Sequence, residues 1–117
     1  MSEIIYQLEP QLTADEFIDI LRRSTLAERR PVDDVPRIEQ MLRRADIVLT
    51  ARTTDGLLVG ISRAITDFCY CCYLSDLAVD QAWQGRGIGK VLIHRTQTAA
   101  GPQAKLVLIA APGARSY

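Results

Sequence analysis

The chain has 117 residues, 48% of them hydrophobic, and its 14 basic side chains cancel its 14 acidic ones. A length of this order fits one domain with a real core, here residues 1–117. The charge balance excludes the basic footprint of a nucleic-acid or anionic-membrane binder, which leaves a small molecule or another protein as the expected partner.

The first ten residues, MSEIIYQLEP, lack the basic flank and long apolar run of a secretion signal. No apolar stretch approaches the roughly 20 residues of a membrane span, so a cytoplasmic location is expected. Residues 3–9 are rich in β-branched and aromatic side chains and end at Pro10, as a short strand does. Thr13 stands three residues before Glu16 at capping-box spacing, and Phe17, Ile20, Leu21 and Ser24 share one face of a helix over about 14–24. Asp33 or Asp34 then starts a second helix carrying Val35, Ile38, Met41 and Leu42 on one side.

From Asp46 the period changes. DIVLTART and GLLVGISRAI read as two strands of a hairpin joined at Asp55-Gly56. A third strand covers about 70–79, and Cys69, Cys71 and Cys72 fall at its start. Three cysteines give no disulfide framework, and Cys69-x-x-Cys72 without a second pair does not make a metal site, so strand neighbours are the expected reading and no metal is predicted. Ile88, Val91, Leu92 and Arg95 recur at helical spacing, and the helix stops near residue 100. The run KLVLIAA at 105–111 is continuously apolar after Lys105, as in a strand covered on both faces. The order is β-α-α-β-β-β-α-β.

The stretch Gln84-Gly85-Arg86-Gly87-Ile88-Gly89, followed by Lys90, joins the third hairpin strand to that helix. Strand, glycine-rich turn and helix together collect free N–H groups where the helix dipole favours an anion. A P-loop would need glycine at Gln84 and Ser or Thr at Val91; a dinucleotide fingerprint would need glycine at Lys90. Both fail. A turn whose glycines only allow tight packing is the ligand-free alternative.

Gln84 to Gly89 resembles the Q/R-x-x-G-x-G/A signature of the GCN5-related N-acetyltransferases, and YLSDLAVDQAWQGRGIGKVLI is similar to the strand, loop and helix that carry it there. The resemblance implies a mixed α/β acyl-CoA N-acyltransferase fold, ending after its fifth strand. It implies that Leu77, Ala78 and Val79 present amides to the pantetheine arm of acetyl-CoA. The backbone of Gln84, Gly85, Arg86, Gly87, Ile88, Gly89 and Lys90 would hold its pyrophosphate. The reaction implied is direct attack of a primary amine on the thioester carbonyl, with a backbone N–H near Val79 facing the oxyanion. Asp76 and Glu28 are candidate bases; Asp76 could instead orient backbone, and Glu28 could be a solvated helix charge. His94 is more simply an exposed or core-edge helix residue. Tyr117 falls within a residue or so of the family's proton donor to the leaving thiolate, and a terminal aromatic with no catalytic role is the alternative reading.

The family's later strands would cover 105–111, so a homodimer through that edge is expected. An acyl-CoA-binding module without catalysis is the alternative reading.

Overall fold

The computed structural model describes residues 3–109. It holds a five-stranded sheet in the order β1-β2-β3-β4-β5, formed by Ile4–Leu8, Ile47–Thr53, Leu58–Thr66, Cys71–Val79 and Lys105–Leu108. All pairs are antiparallel except β4 with β5, which are parallel. The helices are α1 (Ala14–Ser24), α2 (Val35–Arg43) and α3 (Ile88–Ala100). Among the described residues no helix is long and apolar enough to cross a membrane.

Local chemistry sets the helix starts. The Thr13 hydroxyl accepts from the Glu16 N–H at 3.2 Å, satisfying one of the free donors of α1. Asp34 rather than Asp33 does the same for α2, accepting from the Arg37 N–H at 3.2 Å. Phe17, Ile20 and Leu21 of α1 and Ile38 and Leu42 of α2 bury against Val48, Leu58, Ile61 and Ala78 on one face of the sheet. Ile88, Leu92 and Ala100 of α3 bury against Leu49, Val59, Leu74, Leu77 and Val79 on the other. The result is three layers, with β3 and β4 at the centre.

An ion cluster joins β1, β2 and α1. Arg52 donates to Glu9 at 2.8 and 2.9 Å and to Glu16 at 2.8 Å. The Arg52 guanidinium pulls the Glu9 carboxyl from its ordinary value near 4.5 down to about 2. A depressed carboxylate contributes stability above its unfolded pKa and loses it as pH falls through the folded value. The Glu9 contribution is therefore expected to fade between about pH 4.5 and 2. Because the pair is partly solvated, Glu9→Gln is expected to cost only about 1 kcal/mol at neutral pH and to flatten the acid limb. Urea unfolding at pH 7 and pH 3 checks this, and equal stability of the two proteins at pH 7 would remove it.

The last strand differs from its sequence reading. Lys105 and Val107 are exposed while Leu106 and Leu108 are half-buried, so β5 is not covered on both faces among the described residues. Its inner side chains join the core cluster beneath α3, and no described element lies over the others. The cysteines also divide: Cys72 is buried and Cys69 and Cys71 are exposed, because the strand begins only at Cys71.

Candidate functional site

The site is built around an irregularity in β4. On β3, Arg63 pairs with Asp76 but its neighbour Ala64 pairs with Leu74, so Ser75 is an extra residue that the ladder passes over. Such a bulge inverts the direction of everything after it. Before it, β3 bonds the odd-numbered residues of β4, as in Asp67 N–H to Cys71 O at 3.4 Å, and Cys72 and Leu74 point under α3. After it, β3 bonds the even-numbered ones, as in Asp80 N–H to Val59 O at 2.9 Å. Alternation in an antiparallel ladder then turns the amides of Leu77 and Val79 away from β3.

Among the described residues no strand meets them on that side. The parallel pairing of β5 runs from Cys71–Lys105 to Leu74–Leu108 and stops at the bulge. Among the described residues, no strand pairs with the outer edge of β4 from Ser75 to Val79. The Gln84 side chain reaches back to this edge, donating to Val79 O at 3.0 Å. Asp80 ends the strand by accepting from the Ala82 N–H at 2.8 Å and from Arg23 of α1 at 2.6 Å.

The glycine stretch follows directly. Gly85 and Gly87 have φ of +79° and +83°, a left-handed conformation that side chains rarely adopt, and the space where their Cβ atoms would stand is open. Gly89 is different: it is buried in the first turn of α3. Gly87 is the N-cap of α3 and brings no side-chain cap, so the first N–H groups of a 13-residue helix face the turn uncapped. Arg86 lies over the Trp83 ring at 4.6 Å, and both Arg86 and Lys90 are exposed at the mouth. Every charged residue after Asp80 is basic: Arg86, Lys90, Arg95, Lys105 and Arg115. An extended acceptor edge thus leads without interruption into a cationic, amide-rich turn, which suits a long amide-bearing arm ending in a diphosphate.

The site residues read from the sequence fall as follows. Leu77, Ala78 and Val79 lie on β4, with Ala78 bonded inward to β3 and its two neighbours directed outward. Gln84 to Lys90 form the turn and helix start. Asp76 is fully buried beside the bulge, each carboxylate oxygen taken by one guanidinium, Arg30 on one side and Arg63 on the other. Glu28 and His94 are exposed, on the turn after α1 and on α3. Tyr117 lies outside the described residues. Arg23, Arg30, Arg63 and Trp83 were not singled out from the sequence. Their partners are remote in the chain, apart from Arg86 three residues after Trp83; the only sequence signal was the lack of acidic residues after Asp80.

With the geometry established, a comparison with family models matches residues 14–112 to the acetyltransferase (GNAT) family. The chain belongs to this acetyltransferase family. A GNAT-family acetyltransferase of Streptococcus pneumoniae TIGR4 is similar in fold, with TM-score 0.77 and 17% identity over 93% of this chain and 76% of that one. A ribosomal-protein-alanine N-acetyltransferase from Brucella melitensis biovar Abortus 2308 shares 27% identity, with TM-score 0.69 over 95% of this chain and 82% of its own. The aminoglycoside N-acetyltransferase AAC(6')-Iy, solved with CoA, gives TM-score 0.72 at 19% identity over 96% and 80%. No curated protein matched the chain. Membership of the GNAT family makes acyl transfer the activity class of this domain, and its mixed α/β sheet is the acyl-CoA N-acyltransferase fold.

Proposed function

We propose that this GNAT domain, spanning residues 1–117, transfers the acetyl group of acetyl-CoA to a primary amine. The observation that carries the reading is the open edge of β4 running into the uncapped start of α3. On this reading Leu77 and Val79 bond the pantetheine arm, and the backbone from Gln84 to Lys90 holds the pyrophosphate.

The amine nitrogen attacks the thioester carbonyl directly: the C–N bond forms, the C–S bond breaks, the ammonium proton leaves and the thiolate takes one up. A backbone N–H near Val79, on the edge that no described strand pairs, is the proposed donor to the developing oxyanion. Direct attack fits the buried cysteine of β4: burial pushes the Cys72 thiol up, leaving it a poor nucleophile. Tyr117 is the proposed acid for the leaving thiolate; Tyr117→Phe, expected to lower kcat several-fold with acetyl-CoA affinity unchanged, tests that role. A homodimer through the outer edge of β5, which pairs on one side only among the described residues, belongs to the same proposal. A monomer stable to concentration in light scattering would remove the dimer.

The decisive experiment is a calorimetric titration with acetyl-CoA followed by free-thiol release across a panel of primary amines. Binding with release supports the transferase. Binding without release would leave an acyl-CoA-binding module, and no binding would overturn the donor assignment.

A further inference from the structure

Ser75 is the residue that the β3–β4 ladder passes over, yet its polar groups are held from two sides. Arg30 donates to its carbonyl oxygen at 2.8 Å, and Arg63 donates to its hydroxyl at 3.1 Å. The same two guanidiniums bind the two oxygens of Asp76, whose side chain has no exposed surface. Arg63 stands directly opposite Asp76 on β3, so the sheet itself keeps that pair together. Arg30 is different, because it comes from outside the sheet, at the end of the 3₁₀ turn Leu26–Arg29 that follows α1.

That turn begins from a costly conformation. Thr25 closes α1 with φ +74°, a left-handed value for a β-branched residue. Such backbone persists only where the surroundings over-determine it. Leu26, Ala27 and Val32 pack only partly against the core, which leaves the Arg30 contacts as the charged tie that pins this segment to β4.

The location of the tie gives it a role. An amine reaching a thioester carbonyl beside the bulge must approach from one face of β4. The α3 face is closed by Leu74, Leu77 and Val79 packed with Ile88 and Leu92. The remaining face is the one bearing Asp76, where the segment 25–34 stands. Both Asp76 oxygens are bound to guanidiniums, so neither is left facing an approaching amine.

We propose that Asp76 is a positioning residue: through Arg30 it fixes the segment 25–34 as the wall against which the acceptor amine is placed. The proposal rests on the transferase reading above. Arg30 comes from outside the sheet, so its loss is expected to loosen the wall and to free the Ser75 carbonyl, while the β3–β4 ladder keeps Leu77 and Val79 in place.

The test compares the wild type with Arg30→Met, Arg30→Lys, Asp76→Asn and the Arg30→Met/Asp76→Asn double variant. Acetyl-CoA affinity is read by calorimetry, acceptor kinetics by thiol release with the best amine of the panel, and segment order by amide hydrogen exchange. Arg30→Met is expected to keep the acetyl-CoA Kd within about twofold, to raise the acceptor KM about tenfold and to lower kcat less, since misplacement of a substrate is costly at small distances. Amides of 26–34 are expected to exchange about tenfold faster, with β4 unchanged. Arg30→Lys, which keeps the charge and loses the fork, is expected to fall between the two. If Asp76 acts through Arg30, the double variant is no worse than Asp76→Asn alone; multiplied effects would mean that Asp76 acts directly and would overturn the proposal. Should Asp76→Asn fold poorly, Arg30→Met decides: unchanged exchange in 26–34 or an unchanged acceptor KM overturns it. If the wild type binds acetyl-CoA and acetylates no amine, the transferase reading fails, while the exchange measurement still decides whether Arg30 holds the segment.

Discussion

Replacing Gly87 by glutamate is expected to weaken acetyl-CoA binding at least a hundredfold while leaving a folded protein. Two effects combine. Gly87 sits at φ +83°, where any side chain is strained by about 1 kcal/mol, a cost that lowers stability but does not unfold a domain of this size. The larger effect is electrostatic. Gly87 is the N-cap of α3, so a glutamate there places a carboxylate among the N–H groups proposed to receive the pyrophosphate. The carboxylate both occupies those donors and repels the diphosphate. Gly87→Ala separates the two effects, since it carries the backbone strain without the charge; it is expected to lose affinity by tenfold at most. Calorimetry on both variants, with thermal unfolding as the control for folding, makes the check. Retained affinity in Gly87→Glu would remove the pyrophosphate seat from this turn.

The contrast between Gly87 and Ser75 shows which features were legible in the sequence. Caps and turns are local: Thr13, Asp34 and Asp55-Gly56 act on backbone groups within a few residues, so their spacing alone places them. The glycine turn was legible for the same reason, and the family resemblance supplied the rest of the proposed donor site. The bulge was not. YCCYLSDLAV reads as a continuous strand, and one added residue changes neither its composition nor its length appreciably, yet it decides that the amides of Leu77 and Val79 turn away from β3.

The ion pairs that hold the site together were equally hidden. Arg23 meets Asp80 across 57 positions and Arg30 meets Asp76 across 46, separations for which a single sequence has no signal. The reading of β5 failed through a different ambiguity. The apolar run after Lys105 fits a strand covered on both faces, but it fits equally a strand with one face under α3, and periodicity cannot separate them.

Gly60→Leu is expected to destabilise the fold by about 3 kcal/mol, at the upper end for overpacking, and to lower the melting temperature by roughly 10 °C. Gly60 lies within β3 directly beneath α3, and even a bare Cβ there would stand 3.1 Å from Leu92 Cδ1, 3.2 Å from Ile88 Cγ2 and 3.4 Å from Ala51 Cβ. The first two are side-chain ends that can yield a few tenths of an ångström, so Gly60→Ala is expected to be tolerated within about 1 kcal/mol. Leucine brings three further carbons into a contact with no room for them. The only escape is to lift α3 off the sheet, and Ile88 is the first residue of that helix. A displaced Ile88 carries the helix start away from the end of β4, where Gly60 pairs with Val79, so acetyl-CoA affinity is expected to fall with stability in Gly60→Leu. Leu92→Ala, which removes the atom nearest to Gly60, is expected to restore part of both losses when combined with Gly60→Leu, a coupling that independent sites do not show. Thermal unfolding and calorimetry of the two single variants and the double variant measure it. Additive losses in the double variant would mean that α3 is not seated by this contact.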